Sequence, residues 1–197
     1  VTKRMLQTLS GINYKTINES EVGQKRAKKF KEFNEELNDM PIYTSHVVKS
    51  ADDLAGQARN MVKKMGVKLI VVDYLQLIPF SQKVGKAEGI AKISHRIKQM
   101  ALELDVAVIL LAQVNREGAR REGGLSLYDL KDSGDIENDA EIVLLMYPKG
   151  GDIDHCRKHL DDGTSFLEME YNVAKNREGE RDLKGKFRFL NHIGRFQ

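Results

Sequence analysis

At 197 residues, with 41% apolar and 31% charged side chains, the chain has the composition of one ordinary globular domain with a sizeable core. Its net charge of +3 is too small to signal nucleic acid by itself, so such a partner has to be argued from where Lys and Arg sit. No apolar run approaches a membrane span, the first residues lack a secretory signal, and Cys156 is the only cysteine; a cytoplasmic protein without an internal disulfide is expected.

Met5, Leu6 and Leu9 lie at helical spacing before Ser10-Gly11, which predicts a helix from Val1 to Leu9. It has no capping residue at its start, and in a chain with no initiator methionine this suggests an excerpt from something longer. Asn18 to Leu37 reads as a long basic amphipathic helix with Val22, Ala27, Phe30, Phe33 and Leu37 inward. Its Lys25-Arg26 and Lys28-Lys29 pairs are read as a solvated face, because Glu32, Glu35 and Glu36 follow on the same helix. Ile42 to Val48 has the look of a short strand. Ser50 and Asp53 then open a helix with an approximate capping box, running to about Lys64 and stopped by Gly66.

The densest apolar run follows, Leu69 to Val72 ending in Asp73, and it predicts a strand buried on both faces in the middle of a parallel sheet. After a polar loop from Pro79 to Gly85, a helix from about Ala87 to Leu104 places Ile90, Ile93, Ile97, Ala101 and Leu104 on one face. Val106 to Leu111 is a second fully buried strand, so strand, helix and strand make a βαβ unit with a right-handed crossover. Arg116 to Gly124 is a basic, Gly-rich loop, Leu127 to Asp139 is polar and turn-rich, and Glu141 to Tyr147 is a third strand. Strands at about Ser165 to Val173 and Lys184 to Leu190 complete the expectation: one α/β domain over 1–197, a mostly parallel sheet flanked by helices, with a β-rich carboxyl-terminal edge.

Chemistry concentrates at the strand ends. A carboxylate at the position of Asp73 points into the crevice where open α/β sheets bind ligands, and there it can hold Mg2+ directly or through water; the alternative is an aspartate that caps the next turn. Gln113 follows the second strand, where an amide can hydrogen-bond a phosphate oxygen or an attacking water, or else satisfy neighbouring backbone.

The apolar run with Asp73-Tyr74-Leu75-Gln76-Leu77 resembles the signature of the DnaB-type replicative helicases, a RecA-like branch of the P-loop ATPases. In that resemblance Asp73 is the Walker B carboxylate, and Gln113-Val114-Asn115-Arg116 is similar to the motif whose glutamine senses the nucleotide. The segment from Asp129 to Ala140 is similar to one whose Arg, Glu and Gly positions grip single-stranded DNA, here Lys131, Asp132 and Gly134. Lys in place of Arg keeps the charge but loses the bidentate fork, leaving a point-charge contact to phosphate. Arg116, Arg120 and Arg121 would belong to the same basic channel. Lys175-Asn176-Arg177 resembles the family's Lys-x-Arg pair, which reaches into the nucleotide site of the next subunit, with Arg177 as the arginine finger and Lys175 its partner. The resemblance thus implies ATP and Mg2+, single-stranded DNA, a homo-oligomeric ring of six subunits, and a primase and a helicase loader as further partners.

A Gly-x-x-x-x-Gly-Lys-[Ser/Thr] loop, whose backbone N–H groups and lysine cradle phosphates, is missing from the sequence. In the family that loop and the catalytic glutamate precede a Met-Leu-x-x-Leu-Ser-Gly-Ile segment, here Met5 to Ile12. The resemblance therefore implies the later two-thirds or so of a motor domain, inactive in hydrolysis by itself. Two rivals remain: a RecA- or RadA-like recombinase, which shares the sheet, and a non-catalytic module that binds single-stranded DNA or a partner.

Overall fold

Helix α1 (Thr2–Ser10) and helix α2 (Glu21–Asp39) belong to one of two compact units, residues 1–44, 147–171 and 185–197; residues 45–146 and 172–184 make the other. The computed structural model describes residues 2–18, 20–81, 83–114, 118, 124–159 and 164–197, with residues 131–134 by backbone alone. Helix α2 starts where Ser20 accepts from the Gly23 N–H at 3.1 Å, satisfying one of the donors a helix start leaves open. Leu37 is buried, and Ala27, Phe30 and Phe33 are half-buried as expected, but Val22 is 58% exposed. The inward position of the first turn is Gly23, where a Cβ would meet the Asn18 carbonyl oxygen at 2.2 Å. Val22 sits about 100° around the helix from it and faces water.

The strand expected over Ile42 to Val48 does not form. These residues take no regular secondary structure and are almost all exposed, and among the described residues no strand gives their backbone a ladder. In the second unit Gln57 holds the end of the segment from the side, pairing its amide with the Ser45 hydroxyl at 2.6 Å and donating to the Val47 carbonyl at 2.7 Å.

Helix α3 (Ala51–Met65) keeps its predicted signals. Ser50 accepts from the Asp53 N–H at 3.1 Å, Asp53 accepts from the Lys49 N–H at 2.8 Å, and Gly66 takes the left-handed conformation at φ 67°. Strand β1 (Leu69–Val72) follows, then helix α4 (Lys86–Leu104) and strand β2 (Ala107–Leu110), which pairs with β1 in parallel, Leu69 opposite Ala107 and Val72 opposite Leu110. This is the predicted βαβ unit. Helix α5 (Gly134–Asp139) comes next, and its Ile136 joins Leu54, Ala55 and Ala58 of α3, Val72 of β1, Leu75, and Ile90, Ile93, Ile97 and Met100 of α4 in one buried cluster.

Both β1 and β2 were expected to be covered on both sides, and here the structure differs. Ile70, Val72, Val108 and Leu110 turn toward the helices and their cluster, whereas Leu69, Val71 and Ile109 on the opposite face are 52%, 57% and 50% exposed. The reason is packing: α3 and α4 join the same buried cluster, which covers one face, so the side-chain period of two alternates core with water. The next strand, β3 (Ile142–Pro148), alternates likewise, with Val143, Leu145 and Tyr147 buried and Ile142, Leu144 and Met146 exposed.

The later strands β4 (Arg157–His159), β5 (Ser165–Asn176), β6 (Leu183–Leu190) and β7 (Arg195–Phe196) form, with β3, a sheet of order β3-β5-β6-β7 in which β4 also pairs with β5. The β4–β5 and β6–β7 pairs are antiparallel, so the fold is a mixed α/β one with the expected β-rich later part. In the first unit the Phe187 and Phe189 rings lie 5.4 and 5.0 Å from Phe196, and the Arg195 guanidinium donates to the Thr8 carbonyl at 3.1 Å and to that of Leu9 at 3.0 Å, closing the carboxyl end of α1. Among the described residues no helix is long and apolar enough to cross a membrane.

Met100 is fully buried at the centre of the second unit's cluster. Met100→Ala is expected to lower unfolding stability by about 2–5 kcal/mol, and Ser50→Ala by about 1 kcal/mol, measured by chemical denaturation.

Candidate functional site

Parallel pairing does not stop where β1 and β2 end. The Leu111 N–H donates to the Val72 carbonyl at 3.0 Å, and the Leu75 N–H to the Leu111 carbonyl at 2.9 Å. Gln76 then continues the ladder with its side chain: its amide donates to the Gln113 carbonyl at 3.2 Å and accepts from the Gln113 N–H at 3.2 Å. A primary amide presents an N–H donor and a C=O acceptor side by side, so it can serve both main-chain groups of one residue, as a neighbouring strand would. Asp73 and Gln113 thereby lie one and three residues beyond the carboxyl ends of neighbouring parallel strands, both exposed. A cis peptide joins Asp73 to Tyr74.

Neither residue does the ordinary structural job offered for it by sequence. The turn after Asp73, Leu75–Leu77, opens at Tyr74 without a side-chain cap. For Gln113, the neighbouring backbone is served by the Gln76 amide instead. Two polar side chains therefore face outward from a fixed backbone.

A second cluster gathers at the carboxyl end of α5. Lys175, near the end of β5, donates to the Glu137 carbonyl and lies 3.5 Å from that of Asn138. Arg177 donates to the Asn138 carbonyl at 3.0 Å and to the Glu141 carboxylate at 3.3 Å, while its own N–H donates to the Glu141 carbonyl at 3.1 Å. Lys98 of α4 donates to the same carboxylate. Helix α4 also holds the Asp139 carboxylate, through the Ser94 hydroxyl at 2.7 Å and His95 Nδ1 at 3.4 Å. The last carbonyls of a helix lack intrahelical donors and carry partial negative charge, so two cations belong there on electrostatic grounds. Among the described residues no hydrogen bond or ion pair links Asp73 or Gln113 to Lys175 or Arg177.

Lys131 and Asp132 lie in the short 3-10 segment Leu127–Ser133, and Gly134 opens α5. The start of that segment is anchored by Asp129, 4% exposed, whose carboxylate accepts from the Ser126 N–H at 2.8 Å and its hydroxyl at 3.0 Å. A Cβ on Gly118 would meet the same carboxylate at 2.0 Å, so the Gly118 backbone lies directly against this anchor. Arg116, Arg120 and Arg121 lie outside the described residues.

Sequence reasoning overlooked Gln76, Asp129 and Glu141. Gln76 carried a signal, an amide three residues beyond the strand-ending aspartate. Glu141 carried none, because its partners Lys98 and Arg177 are 43 and 36 residues away.

The family model described as DnaB-like helicase C terminal domain matches residues 1–197. The replicative DNA helicase DnaB of Leifsonia xyli subsp. xyli is 31% identical over 146 residues, 73% of this chain and 30% of that protein. Among solved structures, that of a DnaB-like replicative helicase and its interactions with primase superposes with a TM-score of 0.81 at 28% identity, over 99% of this chain and 47% of that one. A second solved structure, of an ATPase domain, gives the same TM-score and identity, over 99% of this chain and 68% of that one. The chain thus spans about a third of the length of the curated relatives it matches.

The Lys98 hydrogen bond, with the nearby Arg177, Lys98 and Lys175 charges, holds the Glu141 carboxyl below its ordinary 4.5. A lowered folded-state value means the ionised form stabilises the fold; the contribution is full above the ordinary value and disappears as pH falls through the folded one. The stability difference between wild type and Glu141→Gln, followed by urea denaturation, is expected to be constant between about pH 6 and 7 and to vanish under more acidic conditions.

Proposed function

The chain belongs to the DnaB-like helicase C-terminal domain family, and on that premise we propose that it is the later part of the motor domain of an ATP-dependent replicative DNA helicase. The observation that carries the reading is the fixed pair at the strand ends: an exposed carboxylate and an exposed amide on adjacent parallel strands, at the crevice where α/β sheets receive nucleotides. The two compact units together would constitute one motor domain, and a preceding segment with the phosphate-binding loop would cover the open face of β1 and β2. The share of the solved ATPase domain that this chain spans, 68%, is in keeping with that.

Asp73 would hold Mg2+ and Gln113 would meet the γ-phosphate or the attacking water. Among the described residues no group of three or more His, Cys, Asp or Glu side chains forms a metal cage, which suits Mg2+, an ion that keeps several waters and takes substrate phosphates with one or two carboxylates. When bound, Mg2+ supplies charge neutralisation at the transferring phosphoryl group. Lys175 and Arg177 would act on the nucleotide of the next subunit in a homo-oligomeric ring, hexameric as in the family. Lys131, Asp132 and Gly134, with Arg116, Arg120 and Arg121, would line a channel for single-stranded DNA, gripping phosphates without reading bases. A primase and a helicase loader are the further partners proposed.

The intact protein is expected to unwind a forked duplex only when ATP is supplied; strand exchange instead of unwinding would point to a recombinase. Asp73→Ala should reduce hydrolysis ~100-fold or more, the scale of a lost metal contact, while the far-UV circular dichroism stays unchanged; full activity would refute the metal role. Lys131→Ala should weaken DNA binding and lower the slope of log affinity against log salt by about 1, read from titrations at several salt concentrations. An unchanged slope would remove Lys131 from the channel.

A further inference from the structure

Lys175 and Arg177, the residues that would serve a neighbouring nucleotide, are already engaged inside their own subunit. Their acceptors are the carbonyls of Glu137 and Asn138 and the carboxylate of Glu141. Resting on the reading that these two cations act across a subunit boundary, we infer that Glu141 is a positioning residue that keeps them in reserve on the carboxyl end of α5 until phosphate oxygens draw them away.

The geometry makes the hold real and also easy to release. Glu141 is shared between Lys98, which is rooted in α4 with its side chain 26% exposed, and Arg177, whose side chain is 50% exposed. Lys98 and Arg177 therefore compete for one carboxylate, and weakening either strengthens the grip of the other. Half-exposed ion pairs contribute little net stability, whereas a nucleotide phosphate offers a guanidinium several charged oxygens in bidentate geometry. Exchange from Glu141 to phosphate is thus downhill once a phosphate is presented.

The same contact reaches the other proposed ligand. Helix α5 has only six residues, about 9 Å of rise, and its first residue is Gly134. One end of this short rod carries a residue proposed to touch DNA, while the other end is gripped by Lys175 and Arg177. Asp139, clamped by Ser94 and His95, ties that second end to α4. Pulling α5 from the DNA side disturbs the acceptors of the two cations, and their departure leaves the Glu137 and Asn138 carbonyls without those donors. Contact with DNA and readiness of the finger are coupled through one turn and a half of helix.

The test uses the intact helicase, measuring ATP hydrolysis with and without single-stranded DNA alongside thermal midpoints. Glu141→Gln is expected to raise DNA-independent hydrolysis about 2–5-fold and to reduce the stimulation by DNA correspondingly. Lys98→Gln, which leaves Glu141 to Arg177 alone, is expected to do the opposite. Glu141→Gln loses two ion pairs and Lys98→Gln one, so a purely structural network would lower both midpoints, the first more than the second, and leave both stimulation ratios at the wild-type value, and that result overturns the proposal. Should Glu141→Gln not fold, Lys98→Gln decides by itself. Arg177→Ala separates the two layers: normal hydrolysis there removes the trans-acting reading and this one with it, while abolished hydrolysis together with wild-type ratios in the other two variants removes only the reserve role.

Discussion

Parallel pairing of β1 with β2 is the constraint from which the site follows. Because the two strands run the same way, their carboxyl ends arrive together, and whatever follows each strand is delivered to one place. The register alone would let the two chains diverge beyond Val72 and Leu110. Leu75 and the Gln76 amide prevent this by extending the pairing as far as Gln113, so the backbone under both outward-facing side chains is fixed before any ligand arrives.

Helix α4 connects this strand-end pair to the cationic cluster, and it does so by dividing its surface. Ile90, Ile93, Ile97 and Met100 form the stripe sunk in the core, while Ser94, His95 and Lys98 project beside that stripe toward Asp139 and Glu141. The apolar stripe supplies stability, each buried side chain contributing roughly 2 kcal/mol, and the polar positions next to it supply aim. Neither task needs a buried charge, which avoids the desolvation cost that makes internal ion pairs expensive.

Local signals made much of this legible from the residues. The Ser50 cap, the Gly66 stop, the isoleucine spacing of α4 and the two apolar runs each act within a few residues, and all appear where they were expected. What failed depended on neighbours. Ile42 to Val48 has strand chemistry but, among the described residues, no strand beside it, Val22 lost the inward position to Gly23, and β1 and β2 are covered on one side rather than two. The site shows the same division. Asp73 and Gln113 each follow a recognisable apolar run, so their positions just past the strands were legible. Glu141 could not, since its meaning comes from a lysine on α4 and an arginine beyond β5 that only the fold brings to it.

The open side of β1 and β2 bears on how such a chain survives being made. Leu69, Val71 and Ile109 present a hydrocarbon surface beside strand edges that have no partner among the described residues, and an edge of that kind is a template on which another molecule can add its own strand. Produced in isolation, the polypeptide would be adhesive toward copies of itself, and its solubility would be limited by this surface rather than by the stability of the core behind it.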